Sequence, residues 1–370
     1  MILPDTLPSS MHGVQLLGHG GFDKLVYRED LPVPLPEVGD VLIEVAAAGV
    51  NNTDINTRIG WYSKSVTTDT EAGGADGFTM VDDEDASWMG VPLKFPRIQG
   101  ADICGRIIGV GAEVDPARIG ERVLVQTMQP LRDAAQITCM TIGSEYDGGF
   151  AQYAVAKSEF TFAVNCDWSD AELATIPCAY STAENMLKRA NVTMETILVT
   201  GASGGVGSAA VQLAKRRGSR VIAVASAGKR QEVMMLGADQ VIDREADIMA
   251  VLNTETIDVI IDLVAGPSWP RLLEVLKRGG RYITAGAIAG PMVELDLRTL
   301  YLKDLTLLGA TYQDDEIFPN LISYIEAGEI CPMLAATYQL SDIARAQEDF
   351  LAKKHTGKLV LVPPEIGDKT

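Results

Sequence analysis

The feature that most constrains this chain is the run at 197–215, ILVTGASGGVGSAAVQLAK. An apolar strand runs into a glycine-rich turn, and the turn opens a helix that Gly218 can close. The pattern then repeats. RVIAVAS (220–226), IDVIIDLV (257–264) and RYITAGA (281–287) read as strands. GKRQEVMMLGA (228–238) and SWPRLLEVLKRGG (268–280) read as helices between them. Continuous apolar strands alternating with helices predict a parallel sheet covered on both faces, an α/β architecture.

The turn carries chemistry as well as topology. Ala202, Gly204 and Gly207 fall at the three small-residue positions of a dinucleotide-binding fingerprint. Small residues there permit a tight turn, close approach of backbone N–H groups to a pyrophosphate, and close helix–strand packing. The helix N-terminus faces the phosphates with its partial positive charge. Ala202, Ser203, Gly204, Gly205, Val206 and Gly207 are therefore candidate cofactor contacts. NAD sites place an acid about 20 residues past the turn to bond the ribose 2′-hydroxyl. Here that stretch holds Ser226, Lys229 and Arg230, and the first acid is Glu232. A hydroxyl and two cations suit a 2′-phosphate, so the expected cofactor is NADP(H).

Charge and composition exclude several classes. Thirty-one basic and fifty acidic residues give a net charge of −19, which argues against a nucleic acid as the main ligand. Hydrophobic residues make up 47%, enough for a core. No apolar run approaches the length of a membrane span. The opening MILPDTLPSS has neither the basic nor the apolar region of a secretory signal. The five cysteines show no CxxC and no framework spacing, the expectation for reduced thiols in a cytoplasmic enzyme. Three histidines near the chain ends leave little for a histidine metal site.

The first half reads differently. VLIEVAAAGV (41–50), GRIIGVG (105–111) and ERVLVQT (121–127) are short strands between turns, as in a barrel-like β unit. A loop-like insertion at 63–95 interrupts them, with seven acids against two lysines. It begins beside Tyr62, and its apolar Phe78, Met80, Trp88 and Met89 suggest a lid over a substrate site. Near Trp168 the character changes. Ser169 with Glu172 three residues on signals a capped helix start. Beyond 310 come two helical segments and a last strand, GKLVLVP, which could return to the first unit.

Taken in order, GVNNTDINTRIGWY (49–62), FPRIQGADICGRIIGVG (95–111), IGERV (119–123), DGGFAQYAV (147–155), IPCAYSTAENML (176–187), the glycine-rich turn and the terminal GKLVLVP resemble the medium-chain dehydrogenase/reductase superfamily, in its zinc-independent, quinone-oxidoreductase-like branch. The resemblance implies a GroES-like β-rich catalytic domain from 1–167 and 311–370, and a doubly wound Rossmann domain at 168–310. It implies an active site in the cleft between them and a homodimer. It also assigns roles. Asn51, Thr53 and Tyr62 match pocket positions, and Cys178 the last zinc-ligand position. Thr182, Val264, Gly286, Ala287, Ile288 and Lys358 match positions near the cofactor.

The departures matter. The zinc enzymes of that superfamily bind the metal through a Cys, a His followed by Glu, and a second Cys. Here those positions are Asn51, Ala101–Asp102 and Cys178, and the four-cysteine lobe expected between 124 and 153 holds only Cys139. One thiolate does not hold a catalytic zinc, which takes about three protein ligands. The expectation is an NADPH-dependent oxidoreductase acting without metal on a small carbonyl, enone or quinone. The alternatives are a zinc-type alcohol dehydrogenase and a non-catalytic NADPH-binding protein.

Overall fold

The strand Thr196–Val199 lies at the centre of a six-stranded, all-parallel sheet in the computed structural model, which describes residues 1–131 and 138–365. Arg220–Ala225 and Gln240–Asp243 add on one side of it. Ile257–Asp262, Leu276–Thr284 and Thr306–Gly309 add on the other. Numbered by appearance, the order is 3-2-1-4-5-6, the doubly wound order of a Rossmann fold. The first, second and fourth strands are buried almost throughout, which is why they read as continuous apolar runs.

Two readings of this region need correction. Helix Trp269–Val275 stops well before 280, and the fifth strand starts at Leu276, not 281. Gly279 has φ +71°, a backbone a helix cannot use, and the register slips between the Ile257–Leu276 and Val259–Arg281 pairs. The third strand, Gln240–Asp243, has only four residues and gives too short a pattern to read.

The chain divides into two compact units. One comprises Thr67–Ala72 and Ala179–Ile317, the other Met1–Val66, Gly73–Cys178 and Phe318–Thr370. Apart from Thr67–Ala72, the changes thus fall at 178/179 and 317/318, where the sequence suggests 167/168 and 310/311. Ser169 does cap the short helix Asp170–Leu173 with Glu172 in a capping box. That helix packs on strands Asp40–Gly49 and Cys104–Val110, and Arg122 holds its Asp170 at 2.6 Å, so it belongs to the β-rich unit.

In the β-rich unit the hub is Asp40–Gly49. It pairs antiparallel with Cys104–Val110, Tyr153–Lys157 and Lys358–Val362. The last strand therefore does return to the first half of the chain. Among the described residues no helix is long and apolar enough to cross a membrane.

The acidic insertion is tied down. Arg58, fully buried on helix Asn52–Ile59, donates to the carbonyls of Gly74 (2.6 Å) and Gly20 (2.8 Å) and to Gln347 Oε1 (2.8 Å). Its guanidinium also lies over the Phe22 ring, 4.4 Å from the centroid. Burial pulls its pKa down to about 10, and it remains a cation at neutral pH. The Gly74 carbonyl it satisfies would otherwise be a buried acceptor without a donor, costing about 1–3 kcal/mol.

Candidate active site

Where strand Asp40–Gly49 ends, Asn51 starts helix Asn52–Ile59, and the Asp54 carboxylate accepts the Asn51 N–H at 2.8 Å. The Asn51 side chain is held at both ends. Its Nδ2 donates to Asp102 Oδ2 at 2.9 Å, and its Oδ1 accepts from Lys358 Nζ. Lys358 also donates to Asp102 Oδ2 at 2.7 Å, while Asp102 Oδ1 accepts the Cys178 N–H at 2.6 Å. Asp102 is 0% exposed and the Lys358 side chain 3%, so each charge depends on the other for compensation. Gly49 makes this possible. A Cβ there would overlap Asp102 Oδ2 and stand 2.5 Å from the Ala174 carbonyl.

Around this ion pair lie Asp54, which the sequence did not single out, and the expected Thr53, Tyr62 and Cys178. Asp54 also accepts the Gly100 N–H at 3.2 Å, and burial pushes its pKa up to about 7. Burial holds the Tyr62 phenol protonated, well above its ordinary range, against the opposing pull of the Thr53 and Asn56 side chains. Cys178 packs in a small apolar cluster with Ala101, Met128 and Cys139, and Trp88 of the insertion closes over it. Asn51, Thr53, Tyr62 and Cys178 are thus in one region of the β-rich unit. Lys358, expected beside the cofactor, is locked to Asn51 and Asp102.

The Rossmann unit holds a second region. Gly201, not Ala202, takes the left-handed conformation of the tight turn, with φ +59°. Helix Gly205–Arg216 starts directly after it. A Cβ at Gly207 would overlap the Gly201 carbonyl and stand 2.7 Å from the Ala202 Cα, so this glycine serves helix–turn packing. A Cβ at Gly204 would meet only the Gly201 carbonyl, at 3.5 Å. Nothing in the protein requires a glycine there, so the absence of a Cβ leaves the backbone of the turn open.

A cavity of about 140 Å³ opens at the carboxyl ends of the first four strands. Thr200, Gly201, Asp243, Arg244, Val264 and Arg271 are among its walls. This is where a doubly wound sheet binds its ligand. Asp262 sets the far wall. Buried, it accepts from Thr200 Oγ1 and Tyr282 Oη, both at 2.5 Å, and from the N–H groups of Val264 and Ala265. The Ala289 N–H bonds the Val264 carbonyl at 2.9 Å, bringing Gly286, Ala287 and Ile288 back to that wall. Thr70 of the insertion donates its N–H to Ile288 at 3.2 Å. Ser226, Lys229 and Arg230 follow the second strand, at the turn into helix Arg230–Met235. Thr182 is buried on helix Pro177–Arg189. Asp262, Arg244 and Arg271 have no clear signature in the sequence; the second acid of the run IDVIID, at its end where the strand meets the turn, is the available signal.

Comparison with known proteins agrees with both units. Residues 37–165 match the alcohol dehydrogenase GroES-like domain, and residues 205–327 the zinc-binding dehydrogenase family. A crystal structure of a proposed alcohol dehydrogenase from Sinorhizobium meliloti 1021 is 45% identical, with a TM-score of 0.87, covering 97% of this chain and 98% of that one. The chain belongs to the medium-chain dehydrogenase/reductase family. Among relatives of this dehydrogenase/reductase are the quinone oxidoreductase of Lama guanicoe and the acryloyl-coenzyme A reductase of Metallosphaera sedula. The first is 29% identical, covering 95% of this chain and 97% of its own. The second is also 29% identical, covering 89% and 93%. It is an oxidoreductase of an NAD(P)-dependent family.

The family description names zinc, so the donor set needs testing. At the metal positions this family member presents an amide (Asn51), a methyl (Ala101) and one thiol (Cys178). The adjacent carboxylate, Asp102, is committed to Lys358, Asn51 and the Cys178 N–H. Among the described residues no group of three or more His, Cys, Asp or Glu could hold a metal ion. These residues do not fit a catalytic zinc.

Proposed function

We propose that this chain is an NADPH-dependent reductase that passes hydride to an electron-poor carbon of a small conjugated carbonyl or quinone without a metal. The observation that carries this reading is the buried Lys358–Asp102–Asn51 network at the position of the zinc enzymes' metal site. When bound, the reduced nicotinamide supplies the hydride, and one further proton completes a two-electron reduction. The chain's residues do the rest. The turn 201–207 and helix Gly205–Arg216 bind the phosphates. Tyr62 keeps its proton and can donate to the oxygen on which negative charge develops. Lys358 and Asp102 fix the Asn51 amide. The relatives named for quinone and acryloyl-coenzyme A reduction support the reaction class.

The 2′-phosphate preference rests on Ser226, Lys229 and Arg230, with Arg244 as a further cation at the cavity. Asp243 also lines that cavity, but its carboxylate accepts the Glu245 N–H at 2.9 Å. NADPH should bind at least about tenfold more tightly than NADH, about 1.4 kcal/mol. Changing Lys229 and Arg230 together to Ala should shrink the gap. Calorimetric titration with both cofactors checks this, and equal affinities in the parent protein reject it. The reaction itself is tested by NADPH oxidation with a panel of quinones and enones. Tight NADPH binding with no turnover of any of them would defeat the reductase reading.

A further inference from the structure

The insertion at 63–95 packs a side chain against the β-rich unit's apolar cluster beside Tyr62. Trp88 packs on Ala101, Met128, Cys139 and Cys178, and its ring lies 5.3 Å from that of Tyr62 at 53°. The segment carrying it is anchored. Ala86 and Ser87 are buried, Ser87 Oγ accepts the Val91 N–H at 3.0 Å, and the Met89 N–H donates to Glu145 at 3.3 Å. Glu145 in turn takes the Thr141 N–H at 2.9 Å. Trp88 is therefore a fixed wall, not the tip of a loose loop. Asp82, Asp83 and Glu84 are exposed a few residues before it.

We propose that Trp88 is a specificity-determining residue, giving the site a flat apolar wall that favours uncharged planar substrates while the insertion's carboxylates turn away phosphate-bearing thioesters. The inference rests on the reductase reading and names its substrate class. An indole face offers large contact area to a planar conjugated ring, with offset or tilted stacking preferred. Tyr62, whose ring tilts against that of Trp88, is placed to hydrogen-bond a carbonyl at the edge of a stacked ring. Clustered carboxylates lower the local concentration of anions, and salt screens the effect.

The test uses the full chain with a neutral naphthoquinone and acryloyl-coenzyme A, each with NADPH. The parent should prefer the naphthoquinone. Trp88→Ala should raise both its KM and its calorimetric Kd by about tenfold, with kcat and NADPH affinity nearly unchanged; Trp88→Phe should recover most of the loss. Asp83→Asn with Glu84→Gln should raise kcat/KM for the thioester about threefold at low salt, less at high salt, and leave the quinone unaffected. Unchanged quinone binding in Trp88→Ala overturns the inference even if turnover persists, as does a parent that prefers the thioester. Trp88-dependent quinone binding without turnover upholds the wall and removes the reductase reading instead.

Discussion

Replacing Lys358 by Met should destabilise the β-rich unit by about 3–5 kcal/mol. Its ammonium is the cationic partner of Asp102, which is 0% exposed. Without it, the carboxylate keeps two hydrogen-bond donors, the Asn51 amide and the Cys178 N–H, but no counter-charge. Methionine fills similar volume, so the loss reports the unpaired charge and not a cavity. Changing Asp102 to Asn in the same chain should restore most of the stability, because neither partner is then left charged and alone. Denaturant titration of the parent, the single and the double variant decides it. A single variant within about 0.5 kcal/mol of the parent would show that the pair does not organise this site.

Two alanines in the glycine-rich turn should behave in opposite ways. Gly207→Ala forces a Cβ into the Gly201 carbonyl and to 2.7 Å from the Ala202 Cα. The strand before the turn is buried and paired on both edges, so the backbone has little room to yield. A loss of about 1–3 kcal/mol is expected, visible in a thermal melt without cofactor. Gly204→Ala meets only an ordinary contact, and its φ of −78° suits alanine. Its melt should stay close to the parent's, while NADPH affinity drops about a hundredfold, or about 2.8 kcal/mol. Fluorescence titration of NADPH measures this. If Gly204→Ala binds NADPH like the parent, the space at that glycine is not the phosphate cradle.

The two units are unequally legible in the sequence. The turn at 200–207 could be read because fold and chemistry there use one local run of residues. Even so, the spacing points to Ala202 and not to Gly201, since a positive φ leaves no trace in a spacing pattern. The fifth strand was placed late because LKRGG carries cations and glycines where a buried strand should be apolar. The polar network is assembled from residues as far apart as Asn51 and Lys358, and the family resemblance gives these two separate roles, one in the pocket and one near the cofactor. The insertion reads as a lid because it begins beside Tyr62 and carries apolar Phe78, Met80, Trp88 and Met89 that need cover. What fixes it is Arg58, a buried cation from a neighbouring helix reaching its backbone carbonyls. Backbone acceptors look alike in every sequence, so that contact had no signature.

The central claim is hydride transfer without a metal, and the most direct measurement is stopped-flow NADPH oxidation by a naphthoquinone, using protein dialysed against a strong chelator and analysed for zinc. The account predicts an unchanged single-turnover rate and melting temperature, with zinc far below one per chain. A rate lost on chelation and restored by stoichiometric zinc would contradict it.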